Sequence, residues 1–182
     1  MFVLPVIKGQ QVILREVKES DIDDRFAIGR HSEFEHMCGG DSFEKPQYPD
    51  RSVWIGWYNR QKKEECTFII EFDGKCIGGA RFHHISKEDR SATYAIGIFD
   101  PSLHSKGIGT EVTKLMLKFG FEDLKLHRID LKVLNYNKRA IRCYKKCGFK
   151  IDGILRESAF IDGRYYSDII MSILNDEYHQ MG

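Results

Sequence analysis

The chain has 182 residues, 42% of them hydrophobic and 30% charged, with 16 glycines and 4 prolines. That is the length of one domain on the usual range of roughly 100 to 200 residues, and the composition excludes disordered and fibrous classes. Lys plus Arg number 28 and Asp plus Glu 27, a formal net charge of +1, so the basic excess of a nucleic-acid-binding domain is missing and no nucleic-acid partner is expected.

The opening segment, MFVLPVIKGQ, carries no basic stretch ahead of its apolar residues and no small-residue cleavage site, and so does not read as a signal peptide. Val12 to Val17 is a short apolar run ending before Ser20, and Asp23 makes an approximate capping box with that serine, which predicts a strand and then a helix. Residues 37–50, with Gly39-Gly40, Asp41, Pro46 and Pro49, read as a loop. Asp50 stands where it could cap a second helix, in which Val53, Trp54, Trp57 and Tyr58 fall at helical spacing as a stripe expected to pack into the core. Cys66 to Phe72 and Lys75 to Phe82 are β-rich runs joined by Asp73-Gly74, a strong signal for a hairpin.

Thr93 to Phe99 is a further strand, stopped by Asp100-Pro101, and from Gly107 the residues Ile108, Val112, Leu115, Met116 and Phe119 predict an amphipathic helix. Arg128 to Leu134 alternates as a strand does, and Lys138 to Cys147 is a helix closed by Gly148. A strand begins at Phe149, and two more runs, Leu155 to Ile161 and Tyr166 to Leu174, flank the Asp162-Gly163 turn. The order is that of a mixed α/β chain without repeat or linker. Apolar runs such as Ile169-Ile170-Met171 fall far short of the roughly 20 residues of a membrane span, and no membrane partner is expected. The cysteines 38, 66, 76, 143 and 147 are odd in number and lack CxxC spacing, which reads as free thiols in a reducing cytoplasm with no metal site.

The stretch that carries chemistry is Leu103 to Thr110, between a strand and a helix. Gly107 and Gly109 permit a tight turn and close approach of a ligand, while the first helical turn offers unpaired N–H groups and a positive dipole end, a place for an anion such as phosphate. The spacings of a Walker loop and of GxGxxG are both absent. A second element follows a later strand: Asn137, Ala140, Tyr144, Gly148 and Phe149, a polar start, a small residue, a tyrosine and then Gly-Phe.

On these residues the sequence resembles the GNAT superfamily of acyl-CoA-dependent N-acyltransferases. Its pyrophosphate loop, [Arg/Gln]-x-x-Gly-x-[Gly/Ala], is matched by His104-Ser105-Lys106-Gly107-Ile108-Gly109, with His104 departing at the first position. Its Asn-x-x-Ala-x-x-x-Tyr-x-x-x-Gly-Phe motif is matched from Asn137 to Phe149. Leu14-Arg15 with Ser20-Asp21, and Gly153 to Glu157 with Asp162 to Asp168, resemble the opening and the ending of the ribosomal-protein and spermidine N-acetyltransferase branch, while residues 30–65 match least. Arg139 to Tyr144 is also similar to aminoglycoside 6'-N-acetyltransferases.

The resemblance implies one N-acetyltransferase domain over residues 1–182, built on a mostly antiparallel sheet of six to seven strands with a splayed central pair and about four flanking helices. It implies acetyl-CoA as co-substrate, no metal, a small polyamine-like or peptide N-terminal amine as acceptor, and a homodimer as one assembly. An aminoglycoside acetyltransferase and a non-catalytic acyl-CoA or polyamine sensor are the alternatives. Backbone groups near Gly97, Ile98 and Phe99 are implied to hold the pantetheine and the thioester oxygen, and residues His104, Ser105, Lys106, Gly107, Ile108, Gly109 and Thr110 the pyrophosphate. Asn137, Ala140 and Lys146 are expected against the same molecule, with Asn137 also suited to cap its helix.

Tyr144 is implied to donate a proton to the departing thiolate. In related enzymes a glutamate often stands where Thr93 is found here, which leaves the base open; His83 and His84 end the preceding strand on opposite faces and are candidates for the relay. Glu33 and Glu35, with Asp41 and Glu44, are candidates for an acidic rim that would receive a cationic acceptor.

Overall fold

The computed structural model describes residues 4–181; Met1 to Val3 of the opening segment, and Gly182, lie outside the described residues. In chain order the elements are β1 (Ile7–Lys8), β2 (Ile13–Arg15), α1 (Asp21–Ile28), α2 (Ser32–Met37), α3 (Arg51–Gln61), β3 (Thr67–Phe72), β4 (Lys75–Ser86) and β5 (Ser91–Ile98). Then follow α4 (Ile108–Lys118), β6 (Arg128–Leu134), α5 (Lys138–Lys146), β7 (Lys150–Ile161), β8 (Arg164–Leu174) and α6 (Asn175–His179). The strands make one sheet in the order β1-β2-β3-β4-β5-β6-β8-β7.

The described residues thus hold eight strands and six α-helices, against the six to seven strands and about four helices expected. The additions are short. β1 has two residues, α2 six and α6 five, too few to display a period of two or of 3.6. The runs expected separately around Phe149 and from Leu155 are one strand, β7, interrupted in register at Ile151/Gly153 and Leu155/Ala159 by irregularities that break its alternation.

Local chemistry explains much of the rest. In the β3–β4 hairpin both turn residues have positive φ, Asp73 at 49° and Gly74 at 74°, the requirement of a type I′ turn. The capping box expected at Ser20 does not form: Ser20 is helical and its side chain makes no cap bond. Asp21 instead takes two 2.8 Å hydrogen bonds from the Arg15 guanidinium, pinning α1 to β2. The stripe on α3 is not a core face either, since Trp54 is buried but Val53 is 48% exposed and Trp57 half-buried.

All neighbouring strands are antiparallel except β5 and β6, which run parallel and pair over three rungs only: Ser91 with Arg128, Ala92 with Ile129, Thr93 with Asp130. Beyond Thr93 the two strands part. β6 continues on β8 as far as Leu134 opposite Asp168, and β5 continues on β4 as far as Ile98 opposite Gly78. One face of the sheet, with Phe68, Ala80, Phe82, Tyr94, Ile129 and Leu131, packs on Val112, Met116 and Phe119 at α4 and its extension, forming the main core. The other face is covered over β4 by α1, on which α3 packs.

Candidate active site

Where β5 and β6 part, a cleft of about 1000 Å³ runs through the sheet. Its lining draws on both faces: Gly107, Gly109, Thr110, Ala140 and Tyr144 from the α4–α5 side, and Phe34, Met37, Trp57 and Gln61 from the α2–α3 side. The register shows which strand residues face the second side. Thr67 lies opposite Arg81, Arg81 opposite Ala95, and Leu134 opposite Asp168, and directly paired residues share a face. All five line the cleft.

The α4–α5 side is built for an anion. Gly107 has φ +86°, Ser105 φ 62°, and a Cβ added to Gly107 would meet no atom within 4 Å, so the space over the loop is open while the first turn of α4 presents its N–H groups. Arg139, Arg142 and Lys146 of α5 line the same region. His104, at the first position of the loop, ties it down: Nε2 lies 3.0 Å from the carbonyl oxygen of Ile98 and Nδ1 3.2 Å from Glu33 Oε1. A pyrophosphate flanked by such a loop and such cations fits these residues.

Tyr144 lies beside Tyr94 and Phe149, ring centroids 6.4 and 5.7 Å away, and its hydroxyl has no hydrogen-bond partner among the described residues. Burial, reinforced by the neighbouring thiols of Cys143, Cys38 and Cys147, pushes its phenol well above the usual range, so the group keeps its proton at working pH. Asn137 accepts from the backbone N–H of Ala140 at 3.1 Å, capping α5, and donates through Nδ2 to the Met37 carbonyl. Cys143 Sγ is 3.4 Å from Thr110 Oγ1 and Cys147 donates to the Thr110 carbonyl, so the two thiols join α5 to the first turn of α4.

A family model described as "Acetyltransferase (GNAT) domain" matches residues 11–150. The chain belongs to this GNAT family. It is 36% identical over 139 residues to a spermidine N(1)-acetyltransferase of Vibrio cholerae, covering 75% of this chain and 79% of that one. It is 34% identical over 116 residues to the spermidine N(1)-acetyltransferase of Escherichia coli strain K12, where the match spans 64% of this chain and 62% of the relative's length. Among solved structures, spermidine N-acetyltransferase from Vibrio cholerae in complex with CoA and spermine superposes with a TM-score of 0.76 at 29% identity, covering 94% of this chain and 99% of that one.

Within this GNAT frame, Gly97, Ile98, Phe99, His104, Ser105, Gly107, Gly109, Thr110, Asn137, Ala140, Tyr144 and Lys146 come together in the cleft. Lys106 and Ile108 of the loop do not line it, and Ile108 is a core residue, 1% exposed. His83 and His84 do not line it either. His83 faces Thr93 one rung outside the splay, and its Nδ1 is 3.2 Å from that of His84; burial, then Arg81 and His84, lower its pKa. Thr93 itself donates to Asp130 at 2.9 Å.

The acidic rim is already occupied. Glu33 accepts from Arg139 at 2.8 Å and faces His104, and Glu35 accepts from Arg30 at 2.9 Å, so neither carboxylate lines the cleft. The Arg139 bond holds the Glu33 carboxyl below its ordinary range. These contacts, with Ser42 donating to Asp162 in the β7–β8 turn, lay α2 and the loop after it across the opening.

Sequence reasoning missed the wall of Phe34, Met37, Trp57 and Gln61 and the strand residues Arg81, Lys132 and Asp168. For the strand residues the signal was available. Arg81 and Lys132 sit at alternate positions from core residues of recognisable strands, which places them on the opposite face.

Proposed function

We propose that this chain is an acetyl-CoA-dependent N-acetyltransferase that acetylates a primary amine by direct attack on the thioester. The observation that carries the reading is the continuity of the cleft: one opening joins the anion-binding loop, the buried Tyr144 and an aromatic-walled space beyond the splay. Bound acetyl-CoA supplies an acetyl group activated as a thioester. The residues 104–110 and the first turn of α4 would take its pyrophosphate, helped by Arg139, Arg142 and Lys146. Asn137, and those main-chain groups of Gly97 to Phe99 that point away from β4, would hold the pantetheine arm and polarise the carbonyl.

As the new C–N bond forms and the C–S bond breaks, the Tyr144 phenol gives its proton to the thiolate, a contribution typically of about 10²- to 10⁴-fold. His83, with its lowered pKa, takes the amine's proton only through intervening water, because it stands outside the cleft. Relatives named as spermidine N(1)-acetyltransferases suggest a polyamine as acceptor, and a peptide N-terminus is the second candidate.

The test is thiol release from acetyl-CoA with spermidine, spermine, an aminoglycoside, simple monoamines and a peptide with a free N-terminus. Release that depends on an amine and falls in Tyr144→Phe supports the enzyme. Acetyl-CoA binding without release on any amine is the result expected of a non-catalytic sensor.

A further inference from the structure

The charges around the acceptor side of the cleft do not suit a polyamine. An amine with several ammonium groups is favoured by carboxylates and free π-faces placed to meet them. The acidic residues of α2 are spent elsewhere: Glu33 is bonded to Arg139 and Glu35 to Arg30. Glu64, beside the opening, is engaged with Arg81 at 3.0 Å. Among the described lining residues Asp168 is the one carboxylate; its Oδ2 accepts from Ser158 Oγ at 2.9 Å, while Oδ1 has no partner.

Part of the aromatic lining is likewise taken. The guanidinium of Arg25 lies 3.8 Å from the ring centroid of Phe99, 4.3 Å from Trp54 and 6.0 Å from Trp57. Arg25 is 5% exposed, has no ion-pair partner among the described residues, and its Nε has no hydrogen-bond partner. Its Nη1 donates to the Gly29 carbonyl, and the guanidinium thus stands behind Phe99 and Trp57 of the lining, where it already uses their electron-rich faces. Lys132, exposed on the lining and without an ion-pair partner among the described residues, adds a second cation.

We infer that the acceptor is a primary monoamine on an apolar or aromatic body, its single ammonium meeting Asp168 and its body lying against Phe34, Met37 and Trp57, and that polyamines are disfavoured. The inference rests on the N-acetyltransferase reading for its catalytic half and on the cleft's charges for its selectivity.

Two measurements test it on the full chain: kcat/KM by thiol release, and calorimetric binding to the enzyme–CoA complex, each for phenethylamine, a peptide with an apolar first residue, spermidine and spermine. The monoamines should exceed the polyamines by about 10-fold or more in both, the size of one unfavourable charge contact of about 1.4 kcal/mol. Lys132→Glu, an exposed change, should raise spermidine kcat/KM several-fold while CoA affinity stays as it was. Asp168→Asn should weaken monoamine binding, and an unchanged affinity removes it as the ammonium's partner. A wild-type enzyme that binds or turns over spermidine or spermine best overturns the inference and leaves the N-acetyltransferase reading standing. If no amine is acetylated, that reading fails, and the binding order still decides the selectivity; monoamines that fail to bind would overturn it too.

Discussion

On the α4–α5 side the cleft is made largely of backbone: a left-handed Gly107, the free N–H groups of one helical turn, and the exposed edge of a parting strand, with the side chains of Tyr144 and Asn137 added at fixed places on α5. On the α2–α3 side it is made of side chains from separate elements: Phe34 from a helix of six residues, Trp57 and Gln61 from α3, Arg81 and Lys132 from two different strands. Backbone geometry limits which residues serve, so the first side announces itself in the sequence through glycines and spacing. A wall of packed side chains accepts many sequences and leaves no comparable pattern. The comparison predicts that substitutions on the first side act on cofactor binding and the chemical step, and substitutions on the second act on the acceptor.

The largest effect should come from Gly107→Val. A β-branched residue at φ +86° is strained, and its side chain projects into the open space where the loop would receive an anion. Loss of the thermal shift given by acetyl-CoA is the expected result; an equal shift in mutant and wild type would mean that the phosphate loop lies elsewhere. Next is Tyr144→Phe, which removes only the phenolic hydroxyl. Here kcat should fall about 10-fold or more while acetyl-CoA affinity stays within about twofold. An unchanged single-turnover rate would take Tyr144 out of the proton transfer.

This asymmetry also describes how much of the molecule was legible beforehand. The β3–β4 hairpin, β5, α4, β6 and α5 follow from Asp-Gly, alternation, apolar periodicity and Asn137 as cap, and they carry the whole cofactor side. α2 escaped because six residues cannot show a helical period, and it is fixed by tertiary contacts, among them Arg139 to Glu33 and Asn137 to the Met37 carbonyl, across about a hundred residues of chain. The acidic residues there looked like a substrate rim for the same reason. Nothing local shows that their partners are an arginine on α5 and an arginine next to α2. The splay itself was reached through family resemblance alone, since it depends on where β6 leaves β5 for β8.

Gly97→Ala tests the join between the two sides, with an intermediate effect. An added Cβ would stand 2.9 Å from Phe34 Cε2 and 3.0 Å from its Cζ, so the phenyl ring must shift. Because this ring belongs to the acceptor wall, KM for the acceptor should rise about 3- to 10-fold, the effect of one displaced apolar contact of roughly 1 kcal/mol. Acetyl-CoA affinity should change less. The reverse ranking would show that Gly97 serves the cofactor and not the roof.

The smallest effect concerns the tether that lays α2 over the opening. Glu33 bridges Arg139 and His104, and with its side chain 47% exposed the pair is screened by solvent. Its carboxyl is held below its ordinary 4.5, chiefly by the Arg139 hydrogen bond and against the opposing effect of desolvation. A carboxylate depressed on folding contributes stability that is fully present above its unfolded value and is lost as pH falls through its folded one. Glu33→Gln should therefore lower the thermal midpoint by no more than about 3 °C near neutral pH, as expected for an exposed ion pair in a chain of this size. The difference from wild type should shrink below about pH 4.5 and vanish once Glu33 is protonated in the folded state. A difference that persists into acid would mean that Glu33 holds α2 by packing, and that the two sides of the cleft are joined by shape instead of charge.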